Sequence, residues 1–303
     1  MVDMHALDLL EEYLNECRVR RLSPRTIQGY DKMVRAALIW IADNEGAETI
    51  EQLAPMHLKR YLLYKQTNGA KPQYINDILR SLRTYSRFLY DAGYTKSLLT
   101  ETIRRVKQPK VKIVSFNESE IRAMLEYFSH TDFLDTRNRA ILAMLFDTGI
   151  RCDELITMRP EQIQKNCIVI HGKGDKERIV PLSPVLAKQM ARYQRSKERY
   201  FRNRMTAPYL FVSKNGNKLT NEAIAVFMKE AAEAVHVRKT VRVSPHTCRH
   251  SYAHVQLRNG CDLYTLSRLL GHESVSITQR YLEGIQDEQV LKIGMKHSPL
   301  MNL

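Results

Sequence analysis

A chain of 303 residues exceeds the usual length of one domain and accommodates two, each able to bury its own core. Lys and Arg outnumber Asp and Glu by 47 to 33, a net charge of +14, yet 44% of the residues are hydrophobic, which excludes a disordered basic tail and leaves a folded cationic protein. Such a balance suits a polyanionic partner, because neutralising phosphates releases condensed counterions.

A membrane partner is disfavoured, since no apolar run reaches the ~18 residues of a spanning helix. The opening MVDMHALDLLEEYL is acidic where a secretory signal is basic. A soluble, cytoplasmic protein is expected. Cys17, Cys152, Cys167, Cys248 and Cys261 lie far apart without a Cys-x-x-Cys pair, which argues against a disulfide framework and a zinc knuckle. Cys248, between His246 and Arg249, reads as a small residue on a packed helix.

In chain order, the first stretch reads as helices only. Leu7, Leu9, Leu10, Tyr13 and Leu14 recur at helical spacing. Ser23-Pro24 then supplies an N-cap and a first-turn proline for a helix with Ile27, Tyr30, Val34, Ala37 and Leu38 on one side. A third helix runs through His57 to Tyr64. A fourth spans Gln73 to Tyr90, with an apolar stripe from Ile75 to Leu89, and Asp91-Ala92-Gly93 closes it. Arg80, Arg83 and Arg87 fall on the opposite stripe, as a solvated face or as a surface laid along DNA phosphates. The segment RRVKQPKVKIV, with Lys107 and Lys110, holds one proline and no helical period and reads as a basic interdomain linker. The expected division is therefore a helical domain over 1–105, a linker over 106–114 and a second domain over 115–303.

The second domain mixes classes. Asn117 to Glu120 forms a capping-box pattern, and helices are expected at 118–129 and 135–147, the latter apolar almost all round and hence buried. Cys167 to Ile170 and Arg178 to Leu182 read as two strands flanking a turn, with Pro181 restricting its strand to an edge. Helices return from Pro184, broken by the apolar run Tyr209 to Val212 and a turn at Lys214 to Asn217. The run Arg192 to Arg204 interleaves basic residues with Tyr193, Tyr200 and Phe201, as an exposed helix with apolar anchors or as a phosphate-contacting face. The fold class is mainly α with a small antiparallel sheet in the C-terminal domain.

Five short motifs share one chemistry: TGIRCDEL, GKGDKER, HTCRHSYA, LLGHES and TQRYLE. A nucleophile approaching a phosphodiester meets negative oxygens, and the pentacoordinate transition state adds charge there. Guanidiniums answer this with a planar fork of donors that stays charged, so Arg151 and Arg249 are the candidate clamp. His246 and His272 can donate to the same oxygens. Lys173, at a turn with a glycine on each side, can carry a proton to a leaving oxygen. Tyr281 can attack phosphorus and preserve the bond energy in a phosphotyrosyl link. Metal binding would want carboxylates or a third imidazole at close helical spacing, and the His-x-x-Arg pair followed by Leu-Gly-His provides neither, so no metal is expected.

In this order the motifs resemble the catalytic signature of the tyrosine recombinases, the phage-type integrase family with its Xer members. SPRTIQGY resembles that family's helical core-binding bundle, which is SAM-like, and residues 115–303 resemble its α+β catalytic domain. The resemblance implies a site-specific recombinase with a 3′-phosphotyrosyl intermediate and no cofactor, a C-shaped clamp on double-stranded DNA, and four protomers exchanging strands through a Holliday junction. It also implies that Glu154 orients Arg151, and that a tail from about residue 284 docks into a neighbouring protomer of the tetramer, where packing on its own domain is the other possibility. A monomer free in solution is compatible with this. A type IB topoisomerase or a non-catalytic DNA-binding regulator would share much of the pattern. The biological task, whether dimer resolution, integration or inversion, is not written in these motifs.

Overall fold

The computed structural model describes residues 5–108, 114–172, 176–279, 281, 282 and 295. The chain divides into two compact units, Met1–Val111 and Lys112–Leu303.

The first unit is four helices: α1 (Ala6–Val19), α2 (Pro24–Glu45), α3 (Pro55–Thr67) and α4 (Pro72–Asp91). Three of them begin with proline at the first helical position, where the missing N–H costs nothing. The Ser23 hydroxyl accepts from Thr26 N at 3.2 Å, and α2 ends where Gly46 turns left-handed, φ 65°. Leu9, Leu10, Tyr13, Val34, Ala37, Leu38, Ile75, Leu79, Leu82 and Leu89 meet in one core, so the helical stripes face inward as their spacing predicts. Ile27 and Tyr30 stay at its partly buried margin. The Tyr85 hydroxyl satisfies Ala6 O at 2.9 Å inside that core. The chain leaving the bundle is pinned to α4: Asn76 exchanges two 2.9 Å bonds with the backbone of Val106, and Arg83 Nη2 donates to Ile103 O at 2.7 Å.

In the second unit, α5 (Glu118–Tyr127) starts with the expected capping box, Glu120 N to Asn117 Oδ1 at 2.8 Å and Asn117 N to Glu120 Oε2 at 2.9 Å. The buried helix α6 (Phe133–Thr148) forms the centre, covered by α8 (Pro184–Tyr200) and α10 (Pro245–Arg258). Between them lie α7 (Cys152–Thr157), a 3-10 turn at Pro160–Gln162, and the hairpin of β1 (Cys167–His171) and β2 (Glu177–Pro181). The strands pair antiparallel from Cys167 opposite Pro181 to His171 opposite Glu177, so β2 begins and ends one residue earlier than the apolar pattern suggests. Ile168, Ile170 and Val180 face the core. The apolar run Leu210–Val212 is buried, and Val212 bridges to Lys218 across the expected turn. Helices α9 (Asn221–Ala234), α11 (Leu263–Leu270) and α12 (Val275–Gln279) complete the described fold. In the basic run at the end of α8, Tyr193 and the C-cap residue Phe201 are core anchors while Tyr200 is exposed, and buried Lys197 donates to Tyr209 O at 2.8 Å and Leu210 O at 3.0 Å. Cys248 is fully buried, and desolvation pushes its thiol well above the usual range, in accord with its reading as a packed residue.

Candidate active site

The site assembles where three chain reversals meet. After α6, Gly149 adopts φ 60°, and a Cβ there would fall 2.5 Å from Tyr252 Cδ1, so both backbone and space demand glycine. That turn sets Arg151 at the N-cap of α7, where Glu154 reaches back to accept from Arg151 N at 2.8 Å and from Arg151 Nη1 at 2.9 Å. Arg151 remains exposed.

Arg249 sits in the first turns of α10, whose N-cap Ser244 accepts from Thr247 N at 3.2 Å. Its guanidinium is buried and donates from Nη1 to Gly149 O at 2.8 Å and from Nη2 to Leu270 O at 2.5 Å. Burial, and next the charge of Arg151, lower its pKa to about 10, which still leaves it cationic at neutral pH. A guanidinium carries five N–H donors, so these bonds aim the group without exhausting it.

The end of α11 gathers the cations. Arg178 Nε donates to Leu269 O at 2.9 Å, Arg249 to Leu270 O at 2.5 Å and Arg151 to Gly271 O at 3.2 Å. Successive C-terminal carbonyls are the negative end of a helix, and they offset part of the repulsion among three guanidiniums. Glu154 offsets more. Its oxygens accept from Arg178 Nη1 and Nη2 at 2.8 Å each, in addition to Arg151. Burial alone would raise the pKa of Glu154, but the Arg178 bonds and charge, with those of Arg151, hold it below the ordinary carboxylate value.

Gly271, φ 64°, turns the chain out of α11, and His272 N closes the turn on Ser267 O at 3.1 Å. The His272 ring is fixed by a 2.8 Å bond between Nδ1 and the hydroxyl of fully buried Thr278. It lies parallel to the Tyr281 ring at a centroid distance of 6.3 Å. Tyr281 is 1% exposed, set against Tyr252, Ala253, Leu257, Leu266 and Leu270. The edges of His250 and His254 approach it at 5.2 and 5.9 Å. A negative charge on its phenol would favour the Arg249 cation, so the two groups lie within electrostatic reach. His246, exposed on the first turn of α10, packs against His250 at 4.3 Å.

Five of the six sequence-derived residues, Arg151, His246, Arg249, His272 and Tyr281, thus belong to α10, the α11 turn and the segments touching them. Lys173 and Lys110 lie outside the described residues, as does nearly all of the tail beyond Leu282. On α4, Arg80 and Arg87 are exposed and pair with Asp77 at 3.2 Å and Asp91 at 3.8 Å, whereas Arg83 is committed to the Ile103 carbonyl. Lys107 is exposed. Among the described residues no three His, Cys, Asp or Glu side chains gather as metal ligands.

Sequence reasoning passed over Arg178 and His250. Arg178 carried a signal, because it shares a face of β2 with buried Val180, and an arginine on the inner face of a strand needs a partner. His250 follows Arg249 directly, yet only the α10 packing shows that its ring touches both His246 and Tyr281.

Residues 115–287 match the phage integrase family, and residues 10–93 match the phage integrase N-terminal SAM-like domain. The chain is 31% identical to the tyrosine recombinase XerD of Lacticaseibacillus casei over 98% of its own length and 99% of that protein. The chain belongs to the phage integrase family and is a tyrosine recombinase. The recombinase is also 30% identical to XerC of Lactobacillus delbrueckii subsp. bulgaricus, over 91% of its length and 94% of the relative. Its fold is shared by the XerH site-specific recombinase in a post-cleavage complex with palindromic difH substrate, at 17% identity and a TM-score of 0.75 over 98% of this chain and 91% of that one. A lambda integrase tetramer bound to a Holliday junction matches with a TM-score of 0.72 at 14% identity, over 92% and 78% of the two chains. All six motif residues fall inside the 115–287 match, and Arg80, Arg83 and Arg87 inside 10–93.

Proposed function

We propose that this recombinase cleaves one strand of a double-stranded recombination site by attack of the Tyr281 phenol on phosphorus. A tyrosyl O–P bond forms, the P–O5′ bond breaks, and the 3′-phosphate stays on the enzyme while a 5′-hydroxyl departs. Attack by another strand's 5′-hydroxyl reverses the step, exchanges strands through a Holliday junction and needs no external energy source. Arg151 and Arg249 neutralise the two non-bridging oxygens, and His246 and His272 donate to the same charge as it grows in the transition state. Lys173 delivers the proton to the leaving oxygen. The observation that carries this reading is the meeting of Arg151, Arg249 and the His272–Tyr281 ring pair at one end of α11.

In this reading residues 1–105 form the core-binding domain, 106–114 a basic connector and 115–303 the catalytic domain. Of the basic residues read as phosphate contacts, Arg80, Arg87, Lys107 and Lys110 keep that role, whereas Arg83 is spent on the Ile103 carbonyl. The active assembly is a homo-tetramer on DNA with tails exchanged between protomers, formed from a monomer in the cytoplasm. Relaxation without joining of two sites would instead mark a topoisomerase, and binding without an adduct a regulator.

The test uses a duplex selected by the purified chain from a random-sequence pool, nicked near the scissile phosphate so that the freed end diffuses away. Wild type is expected to form a covalent protein–DNA band, and Tyr281→Phe to bind the same duplex without one. A band that persists in the Phe variant rejects Tyr281 as the nucleophile.

A further inference from the structure

Arg178 lies outside the motifs that define the site, yet it touches the supports of two of its members. Its guanidinium grips Glu154 with both Nη atoms at 2.8 Å, and the two side chains are only 10% and 8% exposed. Each Glu154 oxygen accepts once from Arg178 and once from Arg151. The Nε of Arg178 ties β2 to Leu269 O, and its Cδ occupies the space that a Cβ on Gly271 would enter, at 2.8 Å, immediately before His272.

Charge gives this arrangement its consequence. Glu154 touching Arg151 alone would cancel the charge that a phosphate clamp must deliver. With Arg178 present, one of three guanidiniums is matched to the carboxylate, and two net positive charges remain at Arg151 and Arg249. Two is the charge needed opposite the paired non-bridging oxygens of a pentacoordinate phosphorus. Lysine could not substitute, because a single ammonium cannot occupy both carboxylate oxygens and a backbone carbonyl in one plane.

We infer that Arg178 is a positioning residue, which absorbs the charge of Glu154 and fixes its plane so that Arg151 meets the scissile phosphate as a full, oriented cation. The inference rests on the proposed clamp role of Arg151. In this inference Arg178 acts through Glu154 and not on the phosphate itself.

The experiment compares single-turnover cleavage of the selected nicked duplex with that of the same duplex carrying a methylphosphonate at the scissile position, where a methyl group replaces one charged oxygen. Arg178→Lys and Arg178→Gln are expected to keep the far-UV circular dichroism spectrum and duplex affinity of wild type. Their cleavage of the natural phosphate should fall on the order of 10²-fold, the loss typical of a misplaced catalytic contact. On the methylphosphonate the deficit should shrink by about tenfold or more, as should that of Arg151→Ala. Adding Glu154→Gln to Arg178→Gln should restore part of the natural-phosphate rate, because the uncompensated carboxylate is then gone. Equal losses on both substrates, wild-type rates in both variants, no recovery in the double variant, or loss of the fold in both single variants would each overturn the inference. Wild type forming no adduct on either duplex would instead reject the proposed function. Arg151→Ala losing equally on both substrates would reject the clamp.

Discussion

Three of the left-handed glycines among the described residues, Gly46, Gly149 and Gly271, differ in what surrounds them, and an alanine at each isolates a separate cost. Gly46, at φ 65°, has nothing within 4 Å of an added Cβ, so Gly46→Ala should lose only the backbone penalty of a left-handed L-residue, about 1–2 kcal/mol. Gly149 has nearly the same dihedral, φ 60°, but its Cβ would lie 2.5 Å from Cδ1 and 3.0 Å from Cγ of Tyr252, a ring only 4% exposed and held among core residues. Overpacking of that kind adds about 1–3 kcal/mol, for a total near 2–5 kcal/mol. Gly271, at φ 64°, meets Arg178 Cδ at 2.8 Å, the middle of a long side chain that can move. Gly271→Ala should therefore cost less stability than Gly149→Ala but displace Arg178 from Glu154, and so depress cleavage more than its stability loss predicts. Urea unfolding followed by far-UV circular dichroism ranks the three, and fluorescence of Trp40, the one tryptophan of the chain, reports the first unit for Gly46→Ala. Gly149→Ala costing no more than Gly46→Ala would refute the clash argument, and a fully active Gly271→Ala would refute the link from that turn to Arg178.

Acid should expose a second dependence. The Arg238 hydrogen bonds outweigh burial and draw the Glu120 carboxyl from 4.5 down to about 2. A folded-state value below the unfolded one means that the stabilisation is fully present above about pH 4.5 and is lost as pH falls toward about 2. Stability curves of wild type and Glu120→Gln should converge across that window, with a gap on the order of 1–3 kcal/mol at neutral pH, and a constant gap down to pH 2 would contradict it. On α4, Arg80→Ala and Arg87→Ala should each reduce the slope of log affinity for duplex against log salt by about 1 without changing stability, as solvated phosphate contacts do. Arg83→Ala should instead lower stability by about 1 kcal/mol through the orphaned Ile103 carbonyl, measured by the same urea titration; an unchanged midpoint would show that bond to be dispensable.

Most of the architecture was legible in the sequence because its determinants are local. The Leu9–Tyr13 and Ile75–Leu89 stripes, the Ser23-Pro24 start, the Asn117/Glu120 box and the apolar band of α6 each specify an element within one or two helical turns. The third helix ran longer than its apolar residues suggested, since Pro55 starts it and its last turn, at Lys65 to Thr67, is polar and carries no periodic signal.

The residue types of the proposed site and their order were likewise written in the chain, since the proposed chemistry on a phosphate asks for guanidiniums and a phenol wherever the fold puts them. Which cation meets which acceptor was not. Arg249 and Arg178 reach carbonyls 21 and 91 residues away, and Arg151 reaches one 120 residues away. Arg83, indistinguishable by spacing from Arg80 and Arg87, is diverted to a backbone oxygen 20 residues on. Periodicity tells which face of an element is turned inward, but not what waits there. Only the packing of α10, α11 and the hairpin decided that Arg178 balances Glu154 and that Tyr281 is enclosed beside His272, because burial and charge compensation are properties of groups brought together across the chain.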